Sequence, residues 1–444
     1  MADIVLTVTY FAFLLGFGVL IANLLKKARV PDTFFLLLLG LVLGPTLFMN
    51  PYIAKYVSLY LVDVSAMGDI PDFLRILALI LVVFTSTFNL GFKVFKKMGS
   101  LPVKLAFVGV IFNTLFLGVF ANLIFGFDWV YSFLLAAILS GTGAAVIYAF
   151  EGSVKSKKIL NTLKIESIFN TPLGILLPIL FLDLVAIQPG ALLEPMSYVS
   201  EFWLMIAAGV GTGLLIGIFV SKVMKDMLKE YSVLFMFSIA LVTFALAENI
   251  GGSGMLAVAV CGLIAGDLVF KEKKEVKHFD DHLSELFRIS VFTLLGAQVL
   301  LALTIPEMWA VLIFFAVVFF SRPLFVIPLL GKERKEMTKS EIAFLCFVSP
   351  RGLPAAAMAP IVAAALITAG HGSIASSMVN IIFLVILLSV LFSTLAAGII
   401  GHFVPKKSPN KDKEEKELEN VESLTEKQKE AGEEKLLETV ESEF

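Results

Sequence analysis

Apolar runs of about twenty residues alternate with short polar loops along almost the whole chain. Runs of that length match a bilayer-crossing helix, and they lack the strict alternation of barrel strands. The pattern predicts about thirteen spans, at residues 4–24, 32–49, 72–92, 103–125, 129–150, 162–187, 200–221, 231–248, 253–270, 285–303, 308–330, 341–368 and 375–402. The stretch 50–71 is a candidate interfacial helix. The first run has no basic lead-in and is as long as a full span, so it reads as a retained helix and not a cleaved signal.

Composition agrees with an all-α integral membrane protein. Hydrophobic residues make up 58% of the 444, charged residues only 16%, and mean hydropathy is +0.92. Soluble domains carry about 25% charged residues. The charge is segregated. Residues 1–404 form the membrane domain, and residues 405–444 form an acidic, polar tail expected to be partly helical or disordered. Lys and Arg cluster after the odd-numbered spans, as at Lys93, Lys96 and Lys97 or Lys271, Lys273 and Lys274. Loops after the even-numbered spans are nearly free of them. The positive-inside rule then puts the N-terminus outside the cell membrane and the tail in the cytoplasm. Two cysteines and four histidines form no disulfide framework or metal-ligand spacing. No nucleotide-binding loop occurs, so no cofactor, enzymatic activity or nucleic-acid partner is expected.

Two spans share an unusual interruption. The fifth contains "SGTGAAVIYAF" (140–150) and the twelfth "SPRGLPAAAMAP" (349–360). Each gives Ser, a helix breaker, a polar residue, Gly and then alanines. The fifth and twelfth spans lie seven places apart in the span order, an odd number, so the two units have opposite orientation, which is an inverted repeat with two broken helices. That arrangement marks a midplane site in secondary transporters. The interrupting positions are Gly141, Gly143, Pro350, Gly352 and Pro354.

The sixth span begins "IESIFNTPLG" (165–174). Glu166, Asn170 and Thr171 share one helical face, and Ser167 is displaced by about 100°. With Ser140 and Thr142 of the fifth span they are candidate ligands for Na+ or K+. Glu166 and Arg351 are the charged residues placed deepest. Isolated intramembrane charges are costly, so the two are expected to pair, either as a structural tie or as partners exchanged during transport. Arg322, in the cytoplasmic half of the eleventh span, is expected to snorkel.

These motifs, with "AENIGGSGMLAVAVCGLIAGD" (247–267), "SRPLFVI" (321–327) and "SPRGLPAAA" (349–357), resemble the monovalent cation–proton antiporters of the sodium/proton NhaP-like branch over roughly residues 1–402. The resemblance implies the sodium/proton antiporter fold with crossed broken helices, a homodimer, and exchange of Na+ or K+ for H+ by alternating access; coupling through one carboxylate would make it electroneutral. It also implies that Glu166 pairs with Arg351 and that Thr142, Ser167 and Asn170 line the site. The chain departs from the family pattern at two aspartates: Thr142-Gly143-Ala144 stands for Thr-Asp-Pro, and Asn170-Thr171 for Asn-Asp. Glu166 is then the remaining carboxylate. A transporter of an anion or neutral solute, or a non-transporting sensor on the same fold, are the alternatives.

Overall fold

The computed structural model describes residues 2–28, 32–44, 62–97, 100–143, 156–186, 195–226, 231–268, 273–299, 304–335 and 337–404. Among these are fourteen α-helices: α1 (Ala2–Ala28), α2 (Thr33–Leu43), α3 (Ile70–Lys97), α4 (Leu101–Phe125), α5 (Trp129–Ile138), α6 (Lys157–Ala186), α7 (Pro195–Asp226), α8 (Ser232–Asn249), α9 (Gly254–Gly266), α10 (Lys273–Gln298), α11 (Ile305–Leu329), α12 (Lys339–Phe347), α13 (Leu353–Thr368) and α14 (Gly372–Gly401). Every expected span carries a helix, and the twelfth carries two, α12 and α13. Seven of the described helices are long and apolar enough to cross a bilayer unaided. The eighth candidate, α6, bends by 43° between Thr171 and Leu173, where Pro172 removes a backbone donor. The expected tail lies outside the described residues, as does most of 50–71, whose described part holds a short 3-10 turn at Ser65–Met67.

The helices sort into two bundles by packing. In one, α9 packs on α3, α7 and α8, while α10 packs on α1, α2 and α3. In the other, α4 packs on α5, α6 and α11, and α14 packs on α11, α12 and α13. The second bundle contains both interrupted spans. Its members come from the two ends of the repeat, so α4–α6 meet α11–α14 face to face. The bundles touch where α13 meets α10 and α3 and where α6 meets α3 and α9.

Between lipid-buried helices there is no hydrophobic drive to associate, so close packing of small residues does the work. The α2–α10 seam shows this. A Cβ built on Gly40 would lie 2.1 Å from the Thr293 carbonyl oxygen, and one on Gly296 would lie 2.3 Å from that of Leu37. At the lysine-rich end of the seam a charge cluster takes over. Arg288 on α10 forks onto both Asp32 oxygens at 2.8 and 2.6 Å and onto Glu285 at 3.0 and 2.6 Å. α10 itself begins at Lys273, well before its expected apolar start. Its first turns are a largely polar extension in which Val276 is buried, and a continuous apolar core segment starts around Phe287.

Gly40→Val is expected to lower the thermal unfolding midpoint in detergent by about 5 °C or more, because backbone on α10 would have to move. Gly16→Ala, with open space around the added Cβ, is expected to leave it unchanged within about 1 °C. Equal midpoints for the two variants would contradict this packing.

Candidate functional site

The fifth span stops being a helix at Ile138, and residues 139–143 are unwound. Carbonyls that lose their helical partners inside a membrane must find others. Here each does. Ala137 O accepts from the Ser140 hydroxyl at 2.7 Å. Ser140 O accepts from Arg351 Nη1 at 2.8 Å and from Asn113 Nδ2 at 3.4 Å. Gly141 O accepts from Arg351 Nη1 at 3.1 Å. Thr142 O accepts from the Ser167 hydroxyl at 3.0 Å. The Arg351 guanidinium thus sits at the C-terminal, electronegative end of α5, where a cation is favoured.

The twelfth span breaks in the same way. Leu345 O accepts from Arg322 Nε at 2.6 Å. The backbone N–H groups of Ser349 and Arg351 donate to the hydroxyls of Ser393 (3.2 Å) and Ser389 (2.9 Å), one turn apart on α14. Pro354 sits in the first turn of α13, where a missing N–H does no harm. The two unwound segments cross and bond directly, Gly143 N–H donating to Pro350 O at 2.8 Å. At the crossing, a Cβ on Gly143 would lie 2.4 Å from Gly352 Cα, and one on Gly352 would lie 2.2 Å from Gly143 Cα. Only glycine fits at either position, because backbone lies against backbone.

Glu166 is buried at 2% exposure, but its partner is not Arg351. Both its oxygens are taken by Arg322, at 2.8 Å (Nη1 to Oε1) and 2.6 Å (Nη2 to Oε2). Arg322 does not snorkel. It is itself 2% exposed, and a third contact runs from Nη1 to the Ser349 hydroxyl at 3.2 Å. The planar guanidinium matches a carboxylate in two parallel bonds, which a depth argument alone cannot foresee. Arg351, expected to pair with Glu166, instead holds backbone carbonyls. Its Nε is buried with no protein partner.

Asn170 donates from Nδ2 to the Thr142 hydroxyl oxygen at 2.7 Å, and its Oδ1 is buried without a partner, an acceptor facing the break. Ser167 also reaches the break, despite its angular offset from Asn170, because the unwound segment presents both the Thr142 side chain and carbonyl to α6. The Thr171 hydroxyl turns back to Ser167 O at 2.7 Å and bonds within its own helix. Glu166, Ser167, Asn170, Ser140 and Thr142 are therefore brought together, and Thr171 lies beside them.

A family model described as "Sodium/hydrogen exchanger, transmembrane" matches residues 11–401. The chain belongs to the sodium/hydrogen exchanger family. Among similar exchangers, Na(+)/H(+) antiporter 1 of Methanocaldococcus jannaschii is 25% identical over 91% of this chain and 98% of its own length. The K(+)/H(+) antiporter NhaP2 of Shewanella oneidensis is 28% identical over 50% of this chain and 40% of its own. The structure of the sodium proton antiporter MjNhaP1 from M. jannaschii at pH 8 superposes with a TM-score of 0.77, covering 90% of this chain and 99% of that one at 24% identity. That likeness shows that the chain shares its fold.

Four polar residues of this exchanger-family site were not singled out by the sequence reading: Asn113, Ser321, Ser389 and Ser393. Asn113 donates to Ser140 O and accepts from the Ser321 hydroxyl at 3.0 Å. A signal existed for it. The interval from Asn113 to Arg322 equals that from Ser140 to Ser349, so the repeat places them at equivalent points.

Double-mutant cycles separate the two arginines. Arg322→Ala strands a buried carboxylate and is expected to cost about 3–5 kcal/mol. Coupling between Glu166→Gln and Arg322→Ala is expected to exceed about 1 kcal/mol, and coupling between Glu166→Gln and Arg351→Ala to be smaller. Chemical or thermal unfolding in detergent provides the measurement. The reverse order would restore Arg351 as the partner.

Proposed function

We propose that this chain exchanges a monovalent cation, Na+ or K+, for H+ across the membrane, with Glu166 as the group that holds either one. The observation that carries the reading is the Glu166–Arg322 pair at the broken-helix crossing. It is a buried carboxylate whose charge is balanced by a side chain that has other acceptors within reach. Gly143 and Thr171 stand where the family pattern puts aspartates. Among the described residues at the crossing, Glu166 is then the carboxylate that pairs with a guanidinium, that of Arg322.

Three species compete for that carboxylate: the Arg322 guanidinium, a proton and a cation. When a proton or cation takes Glu166, Arg322 keeps its bonds to Leu345 O and Ser349 Oγ. The guanidinium therefore keeps two hydrogen-bond partners when the carboxylate is taken. Asn170 Oδ1 and the Thr142 hydroxyl add neutral oxygens of the hardness that alkali cations prefer. Proton and cation exclude one another on a single carboxylate, so exchange is one for one and electroneutral. Fewer fixed charges also make for weak cation binding.

Alternating access follows from the two-bundle architecture. The bundle of α4–α6 and α11–α14 moves against the other, carrying the crossing with it. In this reading residues 1–404 are the transport unit, residues 405–444 are a cytoplasmic tail, and the N-terminus faces outside, as the lysine-rich loops favour. The protein works as a homodimer. Support for this comes from family membership.

Proteoliposomes with an internal pH-reporting dye test the proposal. Na+ or K+ gradients are expected to drive proton movement that Glu166→Gln abolishes, without a membrane potential developing. Full activity in that variant would remove Glu166 from the role. A second reading rests on Arg351, whose charge is met by carbonyl dipoles and not directly by a carboxylate. Flux that follows chloride or another anion and ignores Na+ and K+ would make this an anion carrier.

A further inference from the structure

The loop between α11 and α12 carries a basic patch. Lys332, Arg334, Lys335 and Lys339 are all exposed, and none of them pairs with a carboxylate among the described residues. Lys104 of α4 joins them. Phe112 and Phe125 of α4 meet Phe325 and Phe314 of α11, with ring centroids 5.7 and 5.2 Å apart. The two helices therefore run antiparallel, and exposed Lys104 lies level with the end of α11. The acids of the loop are Glu333 and Glu336. Glu341 is buried and caps α12, accepting from the Thr338 N–H at 2.8 Å and from Ser156 Oγ at 3.2 Å. The patch keeps an excess of cations at its surface.

α14 delivers the most acidic part of the chain to this patch. Phe392 of α14 meets Phe319 of α11 at 5.9 Å, and both helices run towards the lysine-rich side. Val404 lies as many residues beyond Phe392 as Gly331 lies beyond Phe319, so α14 ends level with the loop. Val404 and Leu330 are buried in one apolar cluster, which fixes where residue 405 leaves the membrane domain. Residues 414–444 hold twelve acidic residues against four lysines, and the stretch "EEKELENVE" (414–422) holds five against one. The ten residues from Val404 to Glu414 span at most about 35 Å. Each exposed ion pair is weak by itself. A tether this short gives an effective concentration on the order of millimolar, so a few weak pairs suffice. The lysine clusters that follow α3, α7 and α9 belong to the other bundle.

We propose that the acidic segment 414–422 docks on the basic loop 331–339 of its own chain. Lys332, Arg334, Lys335 and Lys339 receive its glutamates. α11 carries Arg322, and α12 leads to the break at Ser349, so the docked segment sits on the inner ends of both helices. The contact does not depend on which ion the protein carries.

The test uses the full chain in zwitterionic liposomes, carrying Glu333→Cys and Asn420→Cys. The first change leaves all four cations of the loop in place, and the native Cys261 and Cys346 are buried. A short, membrane-permeant bismaleimide joins the two cysteines, and the rate of the intrachain product is followed. Raising the salt from about 0.02 to 0.5 M is expected to slow it about three- to tenfold. Arg334→Glu with Lys335→Glu is expected to slow it as much at low salt, and so is Glu415→Lys with Glu417→Lys. The two reversals together are expected to restore the rate, which neither a fold defect nor a loose tether would do. A rate indifferent to salt and to both reversals, reversals that fail to rescue one another, or a product that links two copies would each overturn the proposal. Slowing to the reversed-loop rate in phosphatidylglycerol liposomes would also overturn it, by giving the loop to anionic lipid.

Discussion

Backbone that leaves a helix inside a membrane must have every exposed carbonyl and amide satisfied by protein, and the rest of this structure follows from how that is done. The freed carbonyls of Ala137, Ser140, Gly141 and Thr142 go to Ser140, Arg351, Asn113 and Ser167. Across the crossing, the freed amides go to Ser389, Ser393 and the Pro350 carbonyl. Hydroxyls serve as both donors and acceptors, so serines meet either need within a small volume. Once they are in place, the two segments approach until Gly143 and Gly352 touch. The polar equipment of the site is therefore first a solution to a folding problem, and transport draws on what that solution leaves over.

What it leaves over is charge. Arg351 is spent on α5 carbonyls, and its positive charge is met by the negative end of that half-helix. Arg322 is spent on Glu166. Removing either guanidinium leaves unsatisfied acceptors, which makes both structural, but only Arg322 faces a group that can change its own charge. In the proposed exchange, Glu166 is thus the place where a proton or a cation would enter the balance without unsatisfying the backbone. Asn170 Oδ1, buried and unpartnered, is the second opening, an acceptor that the fold has not used.

Much of this was legible in the sequence. Apolar runs and lysine alternation gave thirteen segments, and the described helices follow them. The repeated Ser-breaker-polar-Gly pattern marked both breaks, because helix breakers in an apolar run have few other uses. The pairing of Glu166 was misassigned for a clear reason. Depth along a span is readable at a fixed rise per residue, but the direction a side chain takes around the helix axis depends on neighbours. Arg322 was placed at the right height and given to the interface; the helix facing it, α6, turns it inward. Ser389 and Ser393 were passed over because isolated serines in a span usually bond back to their own helix, as the Ser389 hydroxyl also does to Ile386 O.

The repeat itself carries the last step. Asn113 and Arg322 occupy equivalent positions on α4 and α11, each donating to a carbonyl of the broken span that follows its own helix: Asn113 to Ser140 O, Arg322 to Leu345 O. At the next equivalent pair, Thr142 and Arg351, the roles differ again, a hydroxyl in one half and a guanidinium in the other. In both pairs the neutral residue belongs to the first half and the cation to the second. Two-fold symmetry in the backbone therefore carries a one-sided charge pattern. A symmetric pair of neutral donors would satisfy the carbonyls equally well, so the asymmetry calls for a partner of opposite sign on one side only. Glu166 on α6 is that partner for Arg322. For Arg351, α5 supplies carbonyl dipoles and no full charge. The second guanidinium thus raises the cost of placing a free cation at the crossing and strengthens the hold on any carboxylate charge nearby. In the exchange proposed above, such a site favours a proton or cation only when it binds Glu166 directly, which would tie cation entry and proton release to one group.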